Sequence, residues 1–146
     1  MENLDTFLSR YPPFDMLPSE ELRRLVADTR EISYEEGQDA LVEDGSPAAG
    51  LWVVLTGSME IVHEGEAIQI LEPGELFGHP SLLTGMAPAF SVRAHEPTTC
   101  ALLSAQAGRR VLGTEAGAAY VAQSMRKRLT RAGHTVHVQQ AVHRVS

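Results

Sequence analysis

Residues 73 to 94 read Pro73-Gly74-Glu75-Leu76-Phe77-Gly78-His79-Pro80-Ser81-Leu82-Leu83-Thr84-Gly85-Met86-Ala87-Pro88-Ala89-Phe90-Ser91-Val92-Arg93-Ala94. A strand ends just upstream at Leu71, a glycine-rich turn follows, a short apolar helix fits Pro80 to Thr84, and a strand resumes at Phe90. Glycine permits positive φ at tight turns, where a β-carbon would clash. A glycine turn feeding a short helix inside a β framework points backbone N–H groups at one spot and adds a helix dipole, which makes an anion cradle. Pro80 at the first helical position suits that geometry, because its missing N–H would have had no helical partner.

Outward from this stretch the texture is β-rich. From Ile32 to Leu103, short apolar or alternating runs such as Leu51-Trp52-Val53-Val54-Leu55 and Met59-Glu60-Ile61-Val62 are separated by Glu36-Gly37, Asp44-Gly45, Thr56-Gly57 and Glu64-Gly65. Breaks every eight to twelve positions predict an antiparallel barrel or sandwich. A short helix fits residues 2–10, closed by Tyr11-Pro12-Pro13, and a second opens at Pro18 with Ser19 as N-cap. A helix from Thr114 to about Ala132 carries Ala118, Val121, Ala122, Met125 and Leu129 along one side, with Gly133 as its stop. The fold class is α+β in one domain, residues 1–132, followed by a polar tail or linker over 133–146.

The stretch resembles the phosphate-binding cassette of the cyclic-nucleotide-binding domain family, found in catabolite-activator-like transcription factors and in cAMP-dependent kinase regulatory subunits. The family pattern runs Pro-Gly-x-x-Phe-Gly-Glu-Leu-Ala-Leu-Leu-x-Gly-x-Pro-Arg-Ala-Ala-Thr-Val-x-Ala. Pro73, Gly74, Phe77, Gly78, Leu82, Leu83, Gly85, Ala89, Val92 and Ala94 match it without a gap, and Ser81 and Ser91 are small or hydroxyl equivalents. The resemblance covers about residues 12–130. It implies an antiparallel β-roll or jelly-roll barrel, flanked by N-terminal helices and a long C-terminal helix. It also implies a ligand site over Gly74, Phe77, Gly78, His79, Pro80, Ser81, Leu82, Pro88, Ala89, Phe90, Ser91 and Arg93.

Two positions depart from the pattern. The cassette glutamate, which accepts from the ribose 2′-hydroxyl, falls on His79, and the arginine that clamps the cyclic phosphate falls on Pro88. Two charge-assisted hydrogen bonds at ~1.5–3 kcal/mol each are forgone, roughly a hundred- to ten-thousand-fold in affinity. Residues 72–96 also set Glu72, Glu75 and Glu96 against Arg93 alone, a net charge of −2. Arg93 is either a substitute clamp or an outward strand arginine, and the outward placement is favoured. His79 is either a protonatable partner for phosphate or a polar residue packed in the pocket wall, and packing is favoured. The expected ligand is therefore nucleotide-like or another small anion, if any, with no cofactor certain.

The run Leu-Phe-Gly-His-Pro-Ser-Leu-Leu-Thr-Gly at 76–85, with Ala-Pro-Ala-Phe-Ser-Val-Arg-Ala-His-Glu after it, is similar to a cassette-degenerate subgroup of bacterial signalling proteins. There the domain precedes paired CBS domains and a nucleotidyltransferase-like domain. In the family the last helix pairs with its twofold mate, so Ala118, Val121, Ala122, Met125 and Leu129 form the expected homodimer face.

Other classes fit less well. Net charge is −7, with 19 acidic against 12 basic side chains, which disfavours general nucleic-acid binding. Arg126, Lys127, Arg128 and Arg131 cluster, and such a run on a helix reads as a solvated face. A DNA-reading helix-turn-helix would need about seventy residues beyond the long helix. No apolar run approaches the ~18 residues that span a bilayer. The acidic start and single Cys100 fit the cytoplasm, and Cys100 in an apolar strand reads as buried and inert rather than nucleophilic. A cupin-type metalloenzyme is the remaining rival, but His63, His79 and His95 sit singly, and His134 and His137 have no acidic partner nearby. The expected function is thus a non-catalytic regulatory domain that signals through its C-terminal helix. The alternatives are a cAMP or nucleotide module using non-standard contacts and a ligand-free dimerisation module.

Overall fold

The computed structural model describes residues 3–128. Two short helices, α1 (Leu4–Leu8) and α2 (Ser19–Ala27), lead into eight strands: β1 (Thr29–Tyr34), β2 (Asp39–Leu41), β3 (Gly50–Thr56), β4 (Met59–His63), β5 (Glu66–Leu71), β6 (Leu76–Phe77), β7 (Ser91–Ala94) and β8 (Thr98–Ser104). Helix α3 (His79–Thr84) interrupts them between β6 and β7, and α4 (Ala105–Leu112) follows β8. The last described helix, α5, covers residues 115–128. Leu129, the expected helix end near Ala132, and the tail at 133–146 lie outside the described residues.

The strands form two four-stranded antiparallel sheets, ordered β1-β8-β3-β6 and β2-β7-β4-β5. The expected α+β β-roll is the observed fold. Alternation along β3 explains why its sequence is apolar throughout. Trp52 and Val54 face the space between the sheets, where Met59, Ile61, Leu71, Phe77 and Val92 meet them. Leu51 and Val53 face the other way, onto a second core built with Leu8, Phe14, Leu22, Leu25, Val111 and Leu112 of the helical layer. A strand covered on both faces has no polar side to display.

Three local expectations shift. Pro18, not Ser19, occupies the N-cap position of α2, and no side chain caps that helix. Residues 76–77, read as part of a turn, pair with Trp52 and Val53 as the short strand β6. Ser104 caps α4, accepting from the Ala107 N–H at 3.1 Å.

Candidate functional site

The cassette is built as a strand, a left-handed turn and a short helix. Gly78 sits at φ +90°, and a β-carbon there would lie 2.7 Å from Trp52 Cε3, so the close approach of chain to indole requires glycine. Trp52 stacks on Phe77 with ring centroids 5.2 Å apart and donates to the Tyr34 hydroxyl at 3.0 Å. Helix α3 then starts with Pro80 in its first turn and closes at Gly85, again left-handed.

Apart from His79, the sequence-derived site residues divide into three sets. Gly78, Pro80, Ser81, Pro88, Ala89 and Phe90 line one pocket, together with Leu41, Ile61 and Val92. Gly74, Phe77 and Leu82 serve the framework instead. The Gly74 N–H is spent on Val54 O at 2.7 Å, and the Tyr11 ring lies where a Gly74 side chain would be. Phe77 and Leu82 belong to the two apolar cores. Ser91 and Arg93 point away from the pocket, because β7 turns Val92 and Ala94 inward. Ser91 Oγ accepts from the Glu43 N–H at 2.8 Å, and Arg93 pairs with Glu60 at 3.2 Å. Arg93 thus lies on the outward side of β7, in an ion pair with Glu60.

Pro88 is buried in the pocket wall, and its carbonyl accepts from the Asp44 N–H at 2.9 Å. The Ser81 hydroxyl accepts from the Ala48 N–H at 2.8 Å and donates to Met86 O at 2.6 Å. His79 is fully buried against Tyr120 of α5, with ring centroids 5.9 Å apart, and neither ring nitrogen has a partner. Burial, and then the nearby Arg128 charge, hold its pKa well below the usual histidine value. The imidazole is thus enclosed and packed against Tyr120, in surroundings that favour its neutral form.

The side chain that sequence reasoning missed is Arg128. Within the basic run, Arg126 and Lys127 are exposed, but Arg128 is 4% exposed and turns into the domain. It lines the cassette pocket beside Gly78, Pro80 and Pro88, and its Nη2 donates to Leu76 O at 3.0 Å. Burial pulls its pKa down to about 10, with Tyr120 and Glu75 opposing, so it stays cationic at neutral pH. Tyr120 accepts from the Leu76 N–H at 2.9 Å and helps pin α5 to β6. The signal was present as the stripe Gly117, Tyr120, Ser124 and Arg128, spaced three or four residues apart. The stripe read as apolar lies one position round the helix: among its described residues Ala118, Ala122 and Met125 are exposed, and only Val121 packs against the core.

The cassette pocket has a volume of about 30 Å³. That admits one or two waters, whereas sites for drug-sized ligands run roughly 300–1,000 Å³. Among the described residues no three His, Cys, Asp or Glu side chains converge to hold a metal ion. Cys100 is fully buried, and burial pushes its thiol up to about 12, so it is the inert core cysteine. No described helix is long and apolar enough to cross a membrane.

Comparison with known proteins places this geometry. The family described as "Cyclic nucleotide-binding domain" matches residues 31–115. A cGMP-dependent protein kinase of Eimeria tenella is 28% identical over 108 residues, covering 73% of this chain and 11% of the kinase. The regulatory domain of Toxoplasma gondii protein kinase A, solved with cAMP, superposes with a TM-score of 0.72 at 20% identity, over 84% of this chain and 48% of that one. The regulatory subunit of a cAMP-independent protein kinase A from Trypanosoma cruzi, bound to guanosine, gives a TM-score of 0.70 at 15% identity, over 76% and 40% of the two chains. The chain thus spans less than half the length of each of these relatives. With more than half its residues inside the matched span, this chain belongs to the cyclic nucleotide-binding domain family.

Proposed function

We propose that the chain is a non-catalytic regulatory domain whose cassette has lost ordinary cAMP recognition and that signals through movement of α5. The observation that carries this reading is the substitution of the two ligand-holding positions by His79 and Pro88, with Arg128 of α5 packed into the pocket they border. Neither replacement supplies what a cyclic phosphate and ribose need. Proline has no side-chain donor, and the buried imidazole is neutral. Ligand entry requires α5 to withdraw, because Arg128 lines a space of only about 30 Å³. Binding and helix position are then one equilibrium, and any ligand must recover the cost of opening.

The ligand we favour is nucleotide-like or another small molecule recognised differently from cAMP. A fold-mate solved with guanosine, which has no phosphate, supports that direction. Calorimetric titration with cAMP, cGMP, AMP and guanosine tests it. Cyclic nucleotide dissociation constants weaker than about 100 μM are expected, and micromolar cAMP binding would overturn the reading.

The exposed Ala118, Ala122 and Met125 on α5 support homodimer pairing, since small residues allow close approach of helices. A sedimentation run showing only a species of 15.9 kDa would sink that part. We further place the domain in the cytoplasm, among cassette-degenerate relatives that precede CBS and nucleotidyltransferase-like domains. The downstream coding sequence tests the association.

A further inference from the structure

A second cavity, of about 220 Å³, is bounded by β5, the turn before β6 and α5. Its wall includes Gln69, Glu75, Tyr120, Ser124, Lys127 and Arg128, and Arg128 also borders the cassette pocket. Two of these side chains are more than nine-tenths buried yet hold an atom without a partner. Gln69 is 8% exposed with Oε1 unpaired, and Arg128 is 4% exposed with Nε unpaired. Among the described residues Arg128 makes one hydrogen bond, to Leu76 O, and no ion pair. A buried guanidinium with one hydrogen bond and an unpartnered Nε is costly, and a counter-anion is a group that relieves it. Lys127 and Arg128 against Glu75 leave the wall one positive charge in excess. Burial pushes the Glu75 carboxyl up, and Lys127 draws it back.

We propose that this cavity is a site for a hydrogen-phosphate ion, separate from the cassette. The ion needs acceptor oxygens for Arg128 Nε–H and a donor for Gln69 Oε1. Inorganic phosphate carries both, since each of its neutral-pH forms keeps an O–H, whereas sulfate offers acceptors alone. A phosphate monoester loses its last O–H above a pKa of about 6. A cavity of about 220 Å³ takes a phosphate readily and is small for a nucleotide. Because Arg128 walls both spaces, an anion here would draw its guanidinium from the cassette side. This inference stands whether or not the cassette binds a cyclic nucleotide.

The test is a phosphate titration of the full chain, followed by calorimetry and by phosphorus NMR line broadening. Sulfate and glycerol 3-phosphate serve as parallel probes at equal ionic strength. The site predicts saturable binding of inorganic phosphate, with sulfate about tenfold weaker. Arg128→Met should weaken phosphate binding about tenfold to a hundredfold, and the exposed Arg126→Met should leave it unchanged. Gln69→Leu should erase the preference over sulfate, and it carries the test if Arg128→Met does not fold. Glycerol 3-phosphate binding as tightly as phosphate or more tightly overturns the proposal, because the phosphate group of a monoester has no O–H left to donate to Gln69 Oε1. Absence of saturable binding, equal affinity for sulfate, or equal loss in the two arginine variants overturns the proposal. Micromolar cAMP binding would overturn the functional reading above and leave this site standing.

Discussion

Lowering the pH from 7.5 to 5.5 should destabilise this domain through a single buried ring. His79 is fully enclosed between α3 and α5, with Tyr120 against it and the Arg128 charge nearby. Its folded-state pKa therefore lies well below the value of 6.5 expected in the unfolded chain. Between those two values the unfolded chain binds a proton that the folded one refuses, so stability rises with pH. The penalty is absent above 6.5 and grows as pH falls below it, at up to ~1.4 kcal/mol per pH unit. Between pH 7.5 and 5.5 that amounts to about 1.4 kcal/mol, or roughly 4–8 °C in Tm for a domain of this size. Other titrating groups also contribute, so the measurement is a difference. Urea denaturation of the parent and of His79→Phe is followed at both pH values. Phenylalanine keeps the ring against Tyr120 and removes the two unpartnered nitrogens. The variant should be at least as stable at pH 7.5 and should lose about 1.4 kcal/mol less on acidification. Parallel pH dependences for the two proteins would refute the reasoning, as would an NMR titration placing the His79 pKa near 6.5.

Further outcomes follow from single contacts. Gly78→Ala combines a φ of +90° with a β-carbon 2.7 Å from the Trp52 ring, and should cost about 2–4 kcal/mol in urea denaturation. A loss under about 0.5 kcal/mol would contradict it. Tyr120→Phe strands the Leu76 N–H, so a loss of about 1–2 kcal/mol and faster hydrogen exchange at that amide are expected. Unchanged exchange at Leu76 would mean that α5 is held by other contacts. Cys100, at 0% exposure and with its thiol pushed up to about 12, should react with a thiol reagent only at the rate of unfolding. Rapid reaction in the native state would show an open strand β8.

The fold was legible because its punctuation is local. Gly57, Gly65, Gly74, Gly78 and Gly85 all take positive φ, so the residue type marks the turn it permits. The run Leu51–Leu55 looked like a buried strand for the reason that it is one, covered on both faces. What local pattern could not tell was which way a polar residue turns. Ser91 stood as a hydroxyl equivalent in the family pattern and Arg93 at an open position of it, yet strand alternation gives the inward places to Val92 and Ala94. Arg128 follows two exposed cations, and only the facing of α5 against β6 separates it from them. The helix is amphipathic with glycine, tyrosine, serine and arginine on its buried stripe, so an apolar search selects the neighbouring stripe. His79 and Pro88 were legible as departures, but the burial that neutralises His79 depends on Tyr120 and Arg128, far along the chain.

The central claim is that the cassette keeps its backbone and lacks two ligand-holding side chains. Titrating cAMP into the parent and into Pro88→Arg/His79→Glu side by side tests it most directly. The introduced guanidinium faces the pocket that Pro88 lines, and the introduced carboxylate lies near the Arg128 charge. Restoring two charge-assisted hydrogen bonds should tighten cAMP binding by a hundredfold or more, from a parent affinity weaker than about 100 μM. A parent that already binds cAMP at micromolar concentration, or a double variant that folds and gains nothing, would contradict the account.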